Sequence, residues 1–325
     1  MTRFSGITPS GNATLGNYLG AIRRWAREGS PGDLYFVSDL HGMTSSYHPQ
    51  KLRARARELL ATLIAAGIEP DQVFVQSDLL PQLGALTWIL ECCCSFGEAA
   101  RMTQFKEKSA KREVEATPVR VGLFTYPVLM ASDILLQGAD EVPVGEDQAQ
   151  HVELARTLAR RFNGTFGDAF VVPRAVTPPA AARVRDLANP ARKMDKSASD
   201  SAGVVFVMDE PDLLRRKVKR AVTDGLERLE YRPGEQPGLA NLLEILAACT
   251  GKPVRDVAAG FGSYRELKDT VAEAVIDELR PVRERTRELL ADRAELDRIR
   301  ARGAELAAGR GAHRLATAQR LAGVG

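Results

Sequence analysis

Phe4-Ser5-Gly6-Ile7-Thr8-Pro9-Ser10-Gly11-Asn12-Ala13-Thr14-Leu15-Gly16-Asn17 is the stretch that decides the fold. Phe4 to Ile7 is a short apolar run and reads as a strand. Thr8 to Asn12 carries the residue types of a tight loop. From Leu15 the apolar positions recur at helical steps: Leu15, Leu19, Ile22, then Trp25 or Ala26. Thr14 stands at the N-cap position. A strand, a glycine-bearing loop and a helix start therefore follow one another. The N–H groups and the dipole at such a junction favour an anion, and Gly11 and Gly16 let a ligand approach the backbone closely. An ordinary βα connection uses the same residue types, so the stretch alone leaves both readings open.

The alternation continues down the chain. Residues 34–38 read as a buried strand, 49–67 as a helix, 72–76 as a strand and 83–96 as a helix. Residues 100–117 are polar and read as an inserted connector. Residues 121–137 form an apolar helix, 142–144 a short strand and 147–162 a helix. Strand–helix alternation of this kind implies an α/β fold with a doubly wound parallel sheet, a Rossmann-like nucleotide-binding domain. From about residue 208 only helical patterns remain: 211–222, 239–250, 253–258, 264–290 and 294–322. The expected organisation is a catalytic domain over 1–200, with the connector near 100–118, and an all-helical domain over 201–325 whose last helix packs back on the first. Ligands are expected at the carboxyl ends of the strands.

Composition agrees with this. A chain of 325 residues with 44% hydrophobic content has room for about two domains and a sizeable core. No apolar run approaches the ~18 residues of a membrane span, and no leader pattern opens the sequence; both point to the cytosol. Cys92, Cys93, Cys94 and Cys249 have the spacing of neither a disulfide framework nor a zinc site. The first three lie in an apolar helical run and are expected to be buried small hydrophobes. The net charge of +3 is weak evidence for a nucleic-acid partner. Arg215, Arg216, Lys217, Lys219 and Arg220 form a basic cluster that reads as a solvated helix surface.

A second loop, Arg192-Lys193-Met194-Asp195-Lys196-Ser197, sits between Asn189-Pro190 and Ser199. Two ammonium groups and a hydroxyl in so short a loop suit a triphosphate, although a solvated basic turn has the same composition. A third block runs Thr125-Tyr-Pro-Val-Leu-Met-Ala-Ser-Asp-Ile-Leu-Leu136, then Val142-Pro-Val-Gly-Glu-Asp-Gln-Ala-Gln-His-Val-Glu153. Together these segments resemble the class I aminoacyl-tRNA synthetases. Thr14-Leu15-Gly16-Asn17 stands where the family has its HIGH motif, in a T-x-G-N form, and Lys193–Ser197 where it has KMSKS. The P-V-G-x-D-Q-x-x-H block, with Met102-Thr-Gln-Phe-Lys-Glu-Lys-Ser109, is similar to the bacterial tryptophan-specific subfamily. The resemblance covers nearly the whole chain.

The resemblance implies a two-step reaction: ATP-dependent activation of L-tryptophan to the adenylate, then transfer to the 3′ end of tRNA(Trp). It implies Mg2+ carried on the phosphates, a homodimer, no iron–sulfur or zinc site, and an anticodon-binding role for the helical domain. Thr8, Pro9, Ser10, Gly16 and Asn17 would meet ATP. Gly145, Glu146 and Asp147 would hold the adenosine, and Val184 would touch the adenine. Lys193, Met194, Asp195, Lys196 and Ser197 form the phosphate loop. By the same resemblance Lys193, Lys196 and Ser197 would act on the phosphates in catalysis, and Lys108 would reach them from the connector. For tryptophan, Asp133 would accept the indole N–H, a group that donates and cannot accept. An unpaired carboxylate among the apolar neighbours of Asp133 would be costly. Met130 lies one turn earlier on the same face. Phe4, His41, Val142, Val144 and Gln148 would complete the pocket, with Tyr126 and Gln148 toward the α-amino group.

One departure stands out: the family usually has serine where this chain has Asp195. Three alternatives stay open. A tyrosyl-tRNA synthetase shares the fold and the chemistry, but the Val142–Gln148 block speaks against it. A small-molecule nucleotidyltransferase would not need the long helical extension. A tRNA- or protein-binding paralogue without activity is favoured only by Asp195.

Overall fold

The computed structural model describes residues 1–114, 118–176, 184–194, 202–226 and 229–324; at 108, 111–114, 146 and 147 it describes the backbone alone. The elements run β1 (Phe4–Ile7), α1 (Leu15–Asn17), α2 (Arg23–Glu28), β2 (Leu34–Val37), α3 (Asp39–Gly42), α4 (Pro49–Ala65), β3 (Val73–Val75), α5 (Leu80–Cys93), α6 (Phe96–Ala100), α7 (Thr103–Val114), α8 (Val121–Gln137), β4 (Glu141–Pro143), α9 (Glu146–Phe166) and β5 (Arg174–Val176). Helices α10 (Pro211–Lys219), α11 (Pro237–Thr250), α12 (Val254–Ala258), α13 (Tyr264–Ala291) and α14 (Arg293–Leu321) follow.

β2 pairs in parallel with β1 (Phe4 opposite Leu34) and with β3 (Tyr35 opposite Val73). β4 pairs in parallel with β5. A parallel bridge between Arg3 and Glu141 joins the two groups, and the Asp140 and Glu141 N–H groups both donate to Thr2 O. The strand order is thus β3-β2-β1-β4-β5, reversing direction between β1 and β4. Ligands of open α/β sheets sit at such a reversal.

The alternation of side chains assigns each strand to two cores. Ile7, Tyr35, Val37, Val73 and Val75 face α4 and the C-terminal helices. Phe4, Leu34, Phe36 and Phe74 face α5, α8 and α9. The second face is an aromatic stack: Phe4 and Phe36 lie 4.7 Å apart and Phe36 and Phe74 5.5 Å. Gly6 makes it possible, because a Cβ there would lie 2.5 Å from the Phe36 ring.

Helix α14 returns to the sheet and covers the β3 edge, which would otherwise offer unpaired backbone. Gly303 lets it come so close that a Cβ would stand 1.9 Å from Val73 O. The Arg310 guanidinium donates to Gln137 O, Gly32 O and Thr2 Oγ1, and Arg300 grips Asp78 through two hydrogen bonds.

Two sequence expectations need correction. Cys92 is exposed and Cys93 and Cys94 are only half-buried, because α5 spends its buried face on Leu83, Leu86, Ile89 and Leu90 and ends at Cys93. Lys217 is not part of a solvated surface. It is buried, and its Nζ donates to Val204 O and to Asp209 Oδ2, each at 2.7 Å.

Candidate active site

The helix start after β1 is built as the sequence implies. Thr14 Oγ1 accepts from the Asn17 N–H at 3.2 Å, and Asn17 Oδ1 accepts from the Thr14 N–H at 3.1 Å. This reciprocal capping box ties up both side chains. The helix then passes through a π turn, Tyr18–Ile22, before α2; such turns concentrate at functional sites. The turn turns two side chains toward α13. Tyr18 Oη donates to Glu278 Oε1, and Arg23 reaches Glu278 and Ala248 O. Burial, reinforced by Glu278, raises the Tyr18 phenol well above its ordinary value, so it stays protonated.

The second loop meets this helix start. The Met194 N–H donates to Val184 O, and Arg185 and Lys193 form an antiparallel bridge. A Cβ on Gly16 would stand 3.5 Å from Val184 Cβ and 3.9 Å from Met194 Cβ. The two motifs therefore touch, although most of a domain separates them in sequence. Residues after the loop fasten the contact: the Leu15 N–H donates to Val205 O and the Val207 N–H to Ala13 O, both at 2.8 Å. Lys193 is exposed, whereas Val184 and Met194 are core side chains. Asp195, Lys196 and Ser197 lie outside the described residues.

The remaining residues collect at the carboxyl ends of the strands. Thr8, Pro9 and Ser10 follow β1, His41 follows β2, and Val144, Gly145 and Gln148 follow β4. Ser5 Oγ donates to Pro143 O, holding β1 and β4 together. Thr8 Oγ1 lies 2.9 Å from Ser38 Oγ, and Ser10 O accepts from Arg55. Gly145 caps α9, whose first residues are Glu146 and Asp147. Lys108 lies on α7, and only its backbone is described.

Asp133 is the polar centre. It lies on the buried side of α8, 2% exposed. His41 Nε2 donates to Oδ2 at 2.9 Å, and Gln76 Nε2 lies 2.9 Å from Oδ1 and 2.8 Å from Oδ2. The carboxylate expected to need a partner has two. Burial pushes its pKa up, against the pull of His41 and Gln76 in the opposite direction. Beside it, the His41 ring meets the Tyr126 ring edge-on at 6.1 Å. Tyr126 Oη lies 3.0 Å from His151 Nε2, and His151 Nδ1 lies 2.9 Å from Gln148 Oε1. Tyr126 and Gln148 are thus brought together through a histidine. Val142 is buried, while Met130 and Val144 are half-buried around the same core. Phe4 is in the aromatic stack and almost wholly enclosed.

Gln76 and His151 carry this cluster without having been singled out in the sequence. His151 had a signal, as the last residue of the P-V-G-x-D-Q-x-x-H block. Gln76 had none beyond its place at the end of a strand.

Residues 1–280 match the family model described as tRNA synthetases class I (W and Y). The chain belongs to this family. It is 52% identical over 312 residues to tryptophan–tRNA ligase 1 of Streptomyces coelicolor, covering 94% of this chain and 93% of the relative. Tryptophanyl-tRNA synthetase of Mycoplasma pneumoniae superposes with a TM-score of 0.87 at 33% identity, covering 100% of this chain and 98% of the other. The Campylobacter jejuni enzyme, solved with ADP and tryptophan, gives a TM-score of 0.85 at 30% identity over the whole of both chains. Among the described residues no helix is long and apolar enough to cross a membrane.

Proposed function

We propose that this synthetase is a tryptophan–tRNA ligase, and that Asp133 is the group that reads the indole. The single observation that carries the assignment is a buried carboxylate held by two donors at the carboxyl end of the sheet. It suits a ligand whose one polar ring group is a donor. Relatives of about half identity over nearly their whole length carry the same activity in their names.

The reaction runs in two steps. A tryptophan carboxylate oxygen bonds to the α-phosphorus of ATP, the bond to the bridging oxygen breaks, and pyrophosphate leaves. A ribose hydroxyl at the tRNA 3′ end then bonds to the acyl carbon, loses its proton, and displaces AMP. Neither step needs a covalent intermediate on the protein, so the protein's part is positioning and stabilisation of charge at phosphorus. In our reading Thr8–Ser10, Gly16, Asn17 and Gly145–Asp147 receive the nucleotide. Lys193, Lys196, Ser197 and Lys108 take the phosphates, with Mg2+ arriving on the ATP. Met130, His41, Val142 and Val144 surround the indole, and Tyr126 and Gln148 meet the ammonium group. Asp195 is acidic where the family has serine; Lys193, Lys196 and Arg192 keep the loop positive around it.

The helical region after residue 200 is the candidate tRNA-reading part. A homodimer is supported by two large apolar side chains on α5 that stand exposed, Leu80 at 53% and Trp88 at 68%. A tRNA partner is in keeping with a cytoplasmic enzyme.

ATP–pyrophosphate exchange with each proteinogenic amino acid, without tRNA, tests the assignment. Exchange with tryptophan alone is expected. Exchange with tyrosine instead would overturn the pocket while leaving the fold, and none at all from folded protein would favour a binding paralogue.

A further inference from the structure

Gln76 is fully buried, immediately past β3. Its amide is oriented without ambiguity. Oε1 accepts the Leu40 N–H at 3.1 Å, and a backbone N–H can only donate. Nε2 therefore faces the Asp133 carboxylate, which can only accept while ionised, and it straddles both oxygens. Leu40 adjoins His41 on α3, and His41 is the second donor to Asp133. One amide thus fixes the carboxylate on α8 and the short helix that carries the other donor. Among the described residues Oδ2 has two donors and Oδ1 one. A carboxylate offers about four lone-pair sites, so the next donor is directed to Oδ1.

We infer that Gln76 is a positioning residue for amino-acid specificity. By holding Asp133 and the His41 helix in one geometry, it keeps Oδ1 turned to a ring N–H. The inference rests on the indole-reading role proposed for Asp133. A buried carboxylate stripped of one of two donors loses both orientation and part of the support for its charge. A substrate that uses the carboxylate would register that loss, and a substrate of the same shape lacking the N–H would not.

The test compares tryptophan with its analogue in which sulfur replaces the indole N–H, using ATP–pyrophosphate exchange. Gln76→Met keeps the bulk and removes the amide. It should lower kcat/KM for tryptophan at least tenfold, carried mainly by KM, and change the sulfur analogue by less than about threefold. The KM for ATP should stay within twofold. Gln76→Leu, which also removes the amide, adds no charge and is smaller than methionine, covers the case in which Gln76→Met does not fold, and should show the same contrast. Equal losses for both amino acids, or no loss for either, overturn the positioning role. If the unaltered chain fails to prefer tryptophan over the sulfur analogue, the fault lies in the Asp133 reading itself and not in Gln76.

Discussion

Lys217→Met is the perturbation that best tests how the helical region holds the nucleotide end of the molecule. The ammonium group is almost enclosed, with its side chain 8% exposed and that of Asp209 10%. It closes three contacts at once: Val204 O, Asp209 Oδ2 and the face of Phe206, whose ring centre is 4.9 Å away. Methionine fills the same volume, so packing is kept and the polar links are lost. Breaking a buried ion pair from one side costs about 3–5 kcal/mol, since the other charge is stranded. Asp209 keeps one donor, the Phe206 N–H at 2.9 Å, so we expect the lower end, about 3 kcal/mol. Denaturant unfolding of the variant, followed by circular dichroism, measures it. Asp209→Asn added to Lys217→Met removes the stranded charge while keeping an acceptor for Phe206, and should recover about 1–2 kcal/mol. Activity follows by a separate route. Residues 204–207 carry the two backbone bonds that hold Ala13 and Leu15, so the KM for ATP should rise more than that for tryptophan. A cost below about 1 kcal/mol, or a double variant no more stable than the single, would refute the buried-pair argument.

Gly303→Ala should destabilise the protein by about 2 kcal/mol in thermal unfolding. The usual gain of about 1 kcal/mol for alanine in a helix is reversed by the 1.9 Å approach of its Cβ to Val73 O, and a stabilised variant would contradict the close docking of α14. The raised carboxyl of Asp133 gives two opposite pH trends. A carboxyl raised in the native state holds its proton longer than the unfolded chain does, so its share of stability is present at low pH and lost as pH rises through the raised value. On the role proposed for Asp133, tryptophan binding uses the ionised form, so the KM for tryptophan should climb as pH falls toward that raised value. Asp133→Asn should bind weakly and without that slope, and a variant with the same slope as the parent would assign it to another group.

The architecture was legible where a local rule decides the structure. Thr14 caps its helix because the side-chain chemistry of an N-cap is local, and the helical periodicity of 264–290 and 294–322 returns as α13 and α14 within a residue or two. β5, three residues with no buried side chain, exists because β4 offers it an edge, and no pattern in Arg174–Val176 announces that. The pairing of 205–207 with 13–15 is likewise a tertiary event. Lys217 reads as one more cation in a basic run, since burial depends on what α10 packs against and not on its own sequence. Asp133 was legible because an acid among apolar neighbours requires a partner. Which partner was not, because Gln76 and His41 arrive from the ends of two other strands.

That convergence bears on how a site of this kind separates indole from phenol. A phenol also donates a hydrogen bond, so an acceptor alone does not distinguish the two rings. The difference is the place of the donor: on the side of the fused ring in indole, at the far tip in phenol. A carboxylate free to rotate would follow either. One pinned through both oxygens by Gln76 and through Oδ2 by His41 offers its remaining lone pair in one direction. A misplaced donor then leaves Asp133 buried and under-satisfied, and that penalty, larger than the gain from a well-made bond, enforces the choice. On the role proposed for Asp133, selectivity would therefore be a matter of rigidity around the carboxylate more than of its charge.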